Sequence, residues 1–388
     1  MTRGDTIVVA GALAQRPRIG GHTWVFLQYL LGFKRLGWDV LFLDQLEPEM
    51  CVDAAGQPCP LDQSINLHYF LEVMARFGLD SAFALIYNHG ERFVGLSRQQ
   101  VLERSRKSAF LMNVMGYLTD EEMLGNVPRR VFLDIDPGFG QMWQDLGLAD
   151  VFRGHDDYVT IGENIGQVDC AVPTCGLEWI TTPQPVVLDY WRPQAATSGV
   201  RFTSIASWRG AYGPLEYQSK TYGLRVHEFR KFAPLPRLSG RPFQLALDIH
   251  PDEVKDLALL ADNGWSLVDP AVVAADPWAY QEYVQGSKAE FMVAKNMYVQ
   301  ANSGWFSDRS ICYLASGRPV LAQDTGLEGL YPMGEGLLTF STMEEALFGV
   351  EQISNDYARQ ARAARAIAEE YFESDKVLSR LLSKLDVA

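Results

Sequence analysis

The fold is decided by three consecutive stretches near the amino terminus: Thr6-Ile-Val-Val-Ala10, residues 23–36, and Asp39-Val-Leu-Phe-Leu-Asp44. The first and third are short apolar runs rich in β-branched side chains, which is typical of strands buried on both faces. The middle stretch has the apolar character of a packed helix, and Gly37 follows it as a C-terminal cap. A strand, a helix and a second strand in this order predict a βαβ unit in a parallel sheet with right-handed crossovers.

The same alternation continues along the chain. In the first half, strands are predicted at residues 83–87, 109–115, 130–136 and 158–162, the last of which closes the sheet, with helices at 65–77 and 99–108. In the second half, strands are predicted at 202–206, 243–248, 291–294 and 320–321, with helices at 252–263, 310–315, 343–353, 357–372 and 377–385. The pattern therefore indicates two consecutive α/β domains with parallel sheets.

The length of 388 residues exceeds what one hydrophobic core usually supports. Residues 170–198 are rich in Pro, Thr and Trp and have no helical period, so the domain boundary is placed there. We expect an N-terminal domain over residues 1–195, a C-terminal domain over 196–365, and terminal helices over 366–388 that pack back on the N-terminal domain.

Composition excludes several classes of function. The formal net charge of −14 disfavours binding to nucleic acid or to anionic lipid. No apolar stretch reaches the roughly 18–20 residues of a membrane span, and the first apolar run is too short for a signal peptide, so we expect a cytoplasmic protein without an integral membrane segment. The five cysteines are irregularly spaced, which favours reduced thiols over a zinc site.

The segment most informative about chemistry runs from Asn302 to Leu321, with the sequence NSGWFSDRSICYLASGRPVL. Small and hydroxyl-bearing residues lead into a predicted helix, whose free amides and dipole would favour an anion such as phosphate. Arg309 could add a permanently charged bidentate partner. The alternative is an ordinary capped turn.

This segment resembles the donor-binding signature of GT-B glycosyltransferases, which have a Gly-Trp-Asn-Ser-like loop, a helix and an A-x-G-x-P-V turn. The resemblance implies that the loop holds a nucleoside diphosphate sugar, without a bound metal and without a further cofactor. The residues that it assigns to the diphosphate are Ser303, Gly304, Ser307 and Arg309, and those that it assigns to the donor sugar are Asp324, Thr325 and Gly326.

The N-terminal segment from Gly21 to Val40, GHTWVFLQYLLGFKRLGWDV, is similar to the G-H-x(n)-L-x(n)-G-H-E-V opening of the same superfamily. Inverting members keep a catalytic base at the position of His22. An imidazole can accept a hydroxyl proton near neutral pH. The alternative is that His22 caps the helix or, beside Gly20 and Gly21, contacts phosphate or acceptor.

Three further residues are candidates from their positions after or within predicted strands. Asp136 ends a strand at the edge where open α/β sheets bind ligands, and it could act on the acceptor, although a turn-forming Asp-Pro-Gly explains it as well. Arg209 follows the first strand of the second half and could reach the diphosphate. Glu290 could accept the ribose hydroxyls, or could belong to a solvated charge run.

The residues at the C-terminal end, from Gly334 to Phe372, are similar to the end of bacterial GT-B enzymes, where the last helix crosses back onto the first domain. The resemblance thus implies two facing Rossmann-like domains and transfer of a sugar from a nucleoside diphosphate to a hydroxyl or amine of a small-molecule or glycan acceptor. The Glu-x7-Glu pair of many retaining members is missing, because Gly304 and Cys312 occupy its places. The stereochemical outcome therefore stays open, and so do two alternatives: a GT-B-fold sugar-nucleotide epimerase and a non-catalytic sugar-nucleotide-binding protein.

Overall fold

The structure is a computed structural model that describes residues 6–193, 200–210 and 212–387. Within these ranges the chain forms two sheets of mainly parallel strands and one small hairpin; each sheet with its helices makes up one lobe. The predicted α/β organisation with two parallel sheets is confirmed. The predicted domain boundary at residues 195/196 lies outside the described residues.

The first sheet is built from the amino-terminal part of the chain. Its strands are β1 (Thr6–Gly11), β2 (Asp39–Leu46), β3 (Phe83–Tyr87), β4 (Arg92–Gly95), β5 (Phe110–Val114), β6 (Arg130–Asp134), β7 (Asp157–Thr160) and β8 (Trp179–Thr181). Their spatial order is β4-β3-β2-β1-β5-β6-β7-β8, and every pair is parallel except the antiparallel pair β3–β4. The strand order reverses between β1 and β5, and loops separate at such a point to leave a crevice at the carboxyl ends.

The second sheet has the same design. Its strands are β9 (Phe202–Ser207), β12 (Phe243–Asp248), β13 (Trp265–Val268), β14 (Ala289–Met292), β15 (Val320–Gln323) and β16 (Leu337–Phe340), while β10 (Leu215–Tyr217) and β11 (Lys220–Tyr222) form the separate hairpin. The order is β13-β12-β9-β14-β15-β16, all parallel. The strand order reverses between β9 and β14.

Helices fill both faces of the two sheets. In chain order they are α1 (Gly20–Arg35), α2 (Ile65–Arg76), α3 (Arg98–Arg106), α4 (Glu121–Asn126), α5 (Phe139–Asp145), α6 (Arg225–Phe232), α7 (Leu235–Ser239), α8 (Val254–Asp262), α9 (Pro270–Val273), α10 (Pro277–Gly286), α11 (Asn296–Ala301), α12 (Asp308–Ala315), α13 (Met343–Asn355), α14 (Tyr357–Ile367) and α15 (Ser374–Lys384). No helix among the described residues has both the length and the apolar character needed to cross a bilayer.

Helix α1 lies between the two lobes and is buried on nearly all sides. It packs on β1 and β2, and it also contacts α10 of the second lobe and α15 at the carboxyl end. The indole Nε1 of Trp24 donates a hydrogen bond to the Pro277 carbonyl at 2.8 Å, across the lobe contact. This environment explains why the sequence of α1 is apolar all round rather than on one stripe.

The carboxyl end of the chain returns to the first lobe, as the predicted fold requires. A π-helical turn (Ala368–Phe372) leads into α15, and Arg35 of α1 donates to Asp375 at 3.0 Å. Leu378 is fully buried next to Gly32, where an added Cβ would lie only 2.5 Å from a Leu378 methyl group. The small residue in α1 therefore allows the close approach of α15.

Two expectations about the first sheet are wrong. Residues 158–162 do not close it, because β8 pairs with β7 in parallel register. This strand has only three residues and lies in a segment rich in Pro and Thr, so it has no visible period. The sheet is also not wholly parallel, because a turn at Asn88 and His89, both with positive φ, folds β4 back on β3.

Candidate active site

A cleft separates the two lobes where the carboxyl ends of the strands of one sheet face those of the other. It contains a larger cavity of about 870 Å³ and a smaller one of about 310 Å³. The loops after β1, β5 and β6 line it from the first lobe, and the loops after β9 and β14 line it from the second. The two points of reversed strand order therefore open onto one space, which is where ligands bind in such sheets.

The two cavities meet at a junction that we define by the five residues lining both. These residues are His22, Ser207, Arg225, Asp308 and Arg309. One comes from the first lobe and four come from the second. A molecule that fills both cavities must pass between these side chains.

Polar side chains of β2 and α2 hold the loop after β1 in place. The amide of Ala14 donates to Asp44 Oδ2 at 2.6 Å, and the Asn66 side chain donates to the Ala14 carbonyl at 2.8 Å. Burial raises the pKa of Asp44 to about 8. These contacts hold the segment that carries Arg16 and His22 against the cleft.

His22 lies at the junction as a neutral imidazole. Its Nε2 is 3.1 Å from the Ala12 carbonyl oxygen, and because a carbonyl can only accept, Nε2 carries the proton and Nδ1 keeps a free lone pair. Burial and the nearby charge of Arg16 lower the pKa of His22 to about 4. The imidazole is therefore unprotonated at neutral pH, but it is a weaker base than an ordinary histidine.

The side chain of Arg309 crosses from the start of α12 to the floor of the cleft. Its Nε donates to Glu290 Oε1 at 2.5 Å and its Nη1 donates to the Ile205 carbonyl at 2.7 Å. Among the described residues, its buried Nη2 has no hydrogen-bond partner. Burial would lower the pKa of Arg309, but the charge of Glu290 holds it above its ordinary value, so the guanidinium stays charged.

A second guanidinium, that of Arg225, lies beside the first. Arg225 begins α6, and its Nε donates to the Val293 carbonyl at 3.0 Å. No carboxylate of the described chain forms an ion pair with it, and burial together with the charge of Arg309 lowers its pKa to about 10. Of the two neighbouring guanidiniums, that of Arg309 is paired with Glu290 and that of Arg225 with no carboxylate of the described residues, so an anion such as a phosphate could pair with Arg225.

Asp136 lies in the smaller cavity, at the carboxyl end of β6 where it was predicted. Lys295 Nζ donates to its Oδ2 at 2.6 Å, and the Tyr298 hydroxyl donates to its Oδ1. Burial and the charge of Asp136 raise the pKa of Tyr298 well above its ordinary value, so this hydroxyl remains a donor. Asp136 thus faces the cleft with both oxygens already engaged.

No protein-family model and no curated protein matches the chain by sequence. Solved structures do match it along nearly its whole length. An α-glucosyltransferase in complex with UDP and a 13-mer DNA containing a HMU base has a TM-score of 0.59 at 11% identity, with 98% of this chain and 99% of that chain covered. HepE of Anabaena in complex with UDP-glucose has a TM-score of 0.58 at 12% identity, covering 99% and 100%. A glycosyltransferase from Rickettsia africae has 0.55 at 11%, covering 99% and 98%.

The chain has the GT-B fold. In this fold two Rossmann-like lobes face each other, and the cleft described above lies between them. The GT-B fold predicted from the resemblance of residues 21–40, 302–321 and 334–372 is therefore confirmed. At 11–12% identity the likeness extends to the fold and not to individual site residues.

The GT-B lobes also touch each other behind the cleft, and four of the predicted donor-binding residues lie at this contact rather than in either cavity. The amide of Asn164 donates to the Ser303 carbonyl at 3.1 Å, and its side chain donates to the Gly326 carbonyl at 2.8 Å. Gly304 donates to the Thr325 carbonyl at 2.7 Å. The amides expected to hold phosphate are thus already used within the second lobe, since that of Ser303 donates to the Tyr298 carbonyl at 3.2 Å.

The remaining predicted residues divide between the cleft and its surroundings. Ser307 lines the smaller cavity and caps α12 through its hydroxyl, which accepts from the Arg309 amide at 3.3 Å. Arg209 also lines that cavity, but its guanidinium is exposed and paired with Glu253. Glu290 lies fully buried behind Arg309 and not in the cleft. Asp324 caps a turn by accepting from the amides of Gly326 and Leu327 at 3.0 Å.

The glycine pair Gly20-Gly21 serves the packing of the lobes. The Gly20 amide donates to the Ala274 carbonyl at 2.8 Å, and a Cβ on Gly20 would lie 2.2 Å from the Asp276 carbonyl oxygen. Gly21 lines the larger cavity, with Tyr280 2.9 Å from where its Cβ would be. The amide expected to hold phosphate or acceptor at Gly20 is therefore used by α9.

Sequence reasoning missed Arg225 and the role of Lys295 and Tyr298. Arg225 follows the β10–β11 hairpin in a stretch without a recognisable pattern, so no signal pointed to it. Lys295 and Tyr298 lie between β14 and α12, and only the contact with Asp136, which is 159 and 162 positions away, reveals them. Among the described residues, no group of three or more His, Cys, Asp or Glu side chains is placed to hold a metal ion.

The Arg309–Glu290 pair predicts a stability test. Arg309→Met should lower the free energy of unfolding by about 3–5 kcal/mol, because it leaves a fully buried carboxylate without its cation. The double variant Arg309→Met/Glu290→Gln should recover most of the loss, since it removes both charges. Urea unfolding measures both values.

The matched control is Arg359→Met, which breaks the exposed pair of Arg359 with Glu335 and should leave the unfolding midpoint unchanged. If Arg309→Met were as harmless as this control, the buried pair would not be what holds Arg309 in the cleft.

Proposed function

We propose that the chain is a glycosyltransferase that moves a sugar from a nucleoside diphosphate sugar to a hydroxyl or amine of a small-molecule or glycan acceptor. One observation carries this proposal: in a GT-B fold, Arg225 and Arg309 bring two guanidiniums to the junction of the two cavities, and among the described residues only Arg309 of the two is paired with a carboxylate. Structures of the same fold hold UDP or UDP-glucose, which supports a nucleotide as the ligand.

The larger cavity suits the nucleoside. Leu247, Leu257 and Leu267 line the side formed by the second lobe, and Ile19 lines the opposite side. Apolar surfaces of this kind bury a base, while the charged end of the nucleotide points to the guanidiniums at the junction. The donor would therefore lie with its diphosphate at Arg225 and Arg309 and its sugar toward the smaller cavity.

In the reaction, negative charge develops on the diphosphate as the bond from the sugar to its oxygen breaks. Arg225 and Arg309 are fixed before the reaction, so they stabilise this charge without reorganisation. We propose that these cations do the work for which other transferases use a metal ion, and that no further cofactor takes part. The acceptor would enter through the smaller cavity.

His22 is proposed as the general base for the acceptor. It lies at the junction, it is neutral at physiological pH, and the free lone pair of Nδ1 can take a hydroxyl proton as the new bond forms. Asp136 is proposed to orient the acceptor rather than to take its proton, because Lys295 and Tyr298 already donate to its two oxygens.

The proposed function is tested by incubating the protein with labelled UDP- and dTDP-sugars and following the products. Release of nucleoside diphosphate, slowly to water or faster with an acceptor, identifies a transferase. An isomeric sugar nucleotide would identify an epimerase, and binding without turnover a non-catalytic binding protein.

The Arg225 assignment predicts the effect of one substitution on binding. Arg225→Gln should weaken UDP binding by about tenfold or more, because a charge-assisted hydrogen bond to phosphate is lost. Isothermal titration calorimetry measures the change. Arg241→Gln is the control. Arg241 is exposed just before β12, at the amino ends of the strands, whereas the cleft lies at their carboxyl ends. Equal affinities of the two variants would remove Arg225 from the donor site.

The His22 assignment predicts a pH profile and a rate loss. Because the pKa of His22 is lowered to about 4, kcat/KM should stay level from neutral pH to about pH 5 and fall only as the pH drops through 4, where the imidazole gains a proton. His22→Ala should lower kcat by about 10²–10⁴-fold. His68→Ala, an exposed histidine in α2, is the control. An acid limb near pH 6.5, or a His22→Ala variant with full activity, would contradict the base role.

A further inference from the structure

A carboxylate lies at the junction where the proposed reaction would take place. Asp308 is the first residue of α12 and lines both cavities, together with His22 and the two guanidiniums of Arg225 and Arg309. Of the residues that define the junction, it is the one that carries a negative charge. Asp308 is not among the residues predicted from the sequence.

Few groups of the protein satisfy this carboxylate. Among the side chains of the described residues only the Ser307 hydroxyl donates to it, at 3.4 Å, and the backbone amides of Asp308 and Arg309 add hydrogen bonds that lower its pKa. None of the described cations forms an ion pair with it, because Arg309 turns its guanidinium to Glu290 and to the Ile205 carbonyl. Burial raises the pKa of Asp308, while the nearby charge of Arg309 opposes that shift. A carboxylate in such a place needs donors, and the open side of the junction is where they can come from.

Asp308 differs in this respect from Asp136, the other carboxylate of the smaller cavity. Asp136 receives an ammonium and a phenol from the protein. Asp308 receives no such charged or phenolic partner from the described residues, only the Ser307 hydroxyl and two backbone amides, so a carboxylate with about four lone-pair sites keeps acceptor capacity for a ligand. The hydroxyl groups of a sugar are donors of the right kind.

The position of Asp308 relative to the cations fixes which part of the donor it meets. Arg225 and Arg309 attract the diphosphate, and a sugar attached to that diphosphate must lie within the same junction. A negative charge here attracts hydroxyl donors and repels a second anion on the sugar. In a partly desolvated cleft this repulsion is worth a large factor in affinity.

We propose that Asp308 selects the sugar that is transferred, so that the donor carries a neutral, hydroxyl-bearing hexose and a donor with a uronic acid is rejected. This inference rests on the proposed function, because it requires a nucleotide sugar in the cleft. Asp308 is then a specificity-determining residue that contacts hydroxyls of the donor sugar.

The test compares UDP-glucose with UDP-glucuronate, which differ only in the oxidation state of C6, by isothermal titration calorimetry. If the protein binds dTDP and not UDP, the corresponding dTDP-glucose and dTDP-glucuronate are used. The wild-type protein should bind the glucose nucleotide on the order of tenfold more tightly or better. In Asp308→Asn the ratio should shrink to within about threefold, mainly because the glucuronate nucleotide gains affinity.

Asp262→Asn is the matched control, because it removes one negative charge from the exposed end of α8 and should keep the wild-type ratio. Equal binding of both nucleotides by the wild-type protein overturns the proposal whether or not Asp308→Asn folds. A wild-type preference that persists in Asp308→Asn overturns it as well. Failure of the proposed function itself looks different, since it shows as an isomeric sugar nucleotide, as binding without turnover, or as no binding of UDP and dTDP.

Discussion

A charged guanidinium remains inside a protein only when an anion compensates it, and this constraint organises the cleft. Arg309 has its anion in the chain, because Glu290 is fully buried behind it and takes its Nε. Arg225 has only the Val293 carbonyl, although it lies beside Arg309 in the same partly closed space. Asp308 also lies at the junction, but among the described residues no carboxylate forms an ion pair with Arg225. A diphosphate between the two lobes would supply the anion that Arg225 lacks.

The way in which the lobes touch keeps these charges in position. On one side of the cleft, the start of α1 meets α10 so closely that Gly20 has no room for a side chain. On the other side, Asn164 inserts its side chain between Asn302 and Gly326, where a Cβ on Gly326 would lie 2.2 Å from Asn302 Oδ1. Both contacts depend on glycine and on backbone hydrogen bonds. Gly20 and Gly326 therefore allow the two lobes to pack closely, rather than binding the ligand.

Much of the fold could be predicted from the sequence, because it depends on local patterns. The apolar runs at residues 6–10 and 39–44 and the apolar stretch between them, up to Gly37, predict a βαβ unit on their own. The same alternation of strands and helices returns after residue 200. The elements that were missed are short or lie at an edge. Strand β8 has three residues, and β4 is antiparallel because of a turn whose residues adopt positive φ. Neither the short strand nor the turn gives the regular spacing of apolar residues from which an element can be predicted.

The site could be predicted only in part, for a different reason. His22, Ser307 and Arg309 lie in the cleft because each directly follows or begins an element that the sequence reveals. Arg225 reaches the cleft from α6, which follows the β10–β11 hairpin. Its role depends on its position beside Arg309, which is 84 positions later in the chain. Ser303 and Gly304 match a phosphate loop in their residue types, but their amides donate to carbonyls of the same lobe, which only the tertiary structure shows. Residue type therefore indicated the region, and long-range contacts decided which side chains face the cleft.

The most direct test of this account is a crystal structure of the protein with UDP bound. The account predicts the diphosphate at the junction of the two cavities, with phosphate oxygens about 3 Å from the Nη groups of Arg225 and from Nη2 of Arg309. The uracil ring should lie in the larger cavity, against the leucines of the second lobe. A diphosphate bound instead at Ser303 and Gly304, or anywhere outside the cleft, would contradict the central claim.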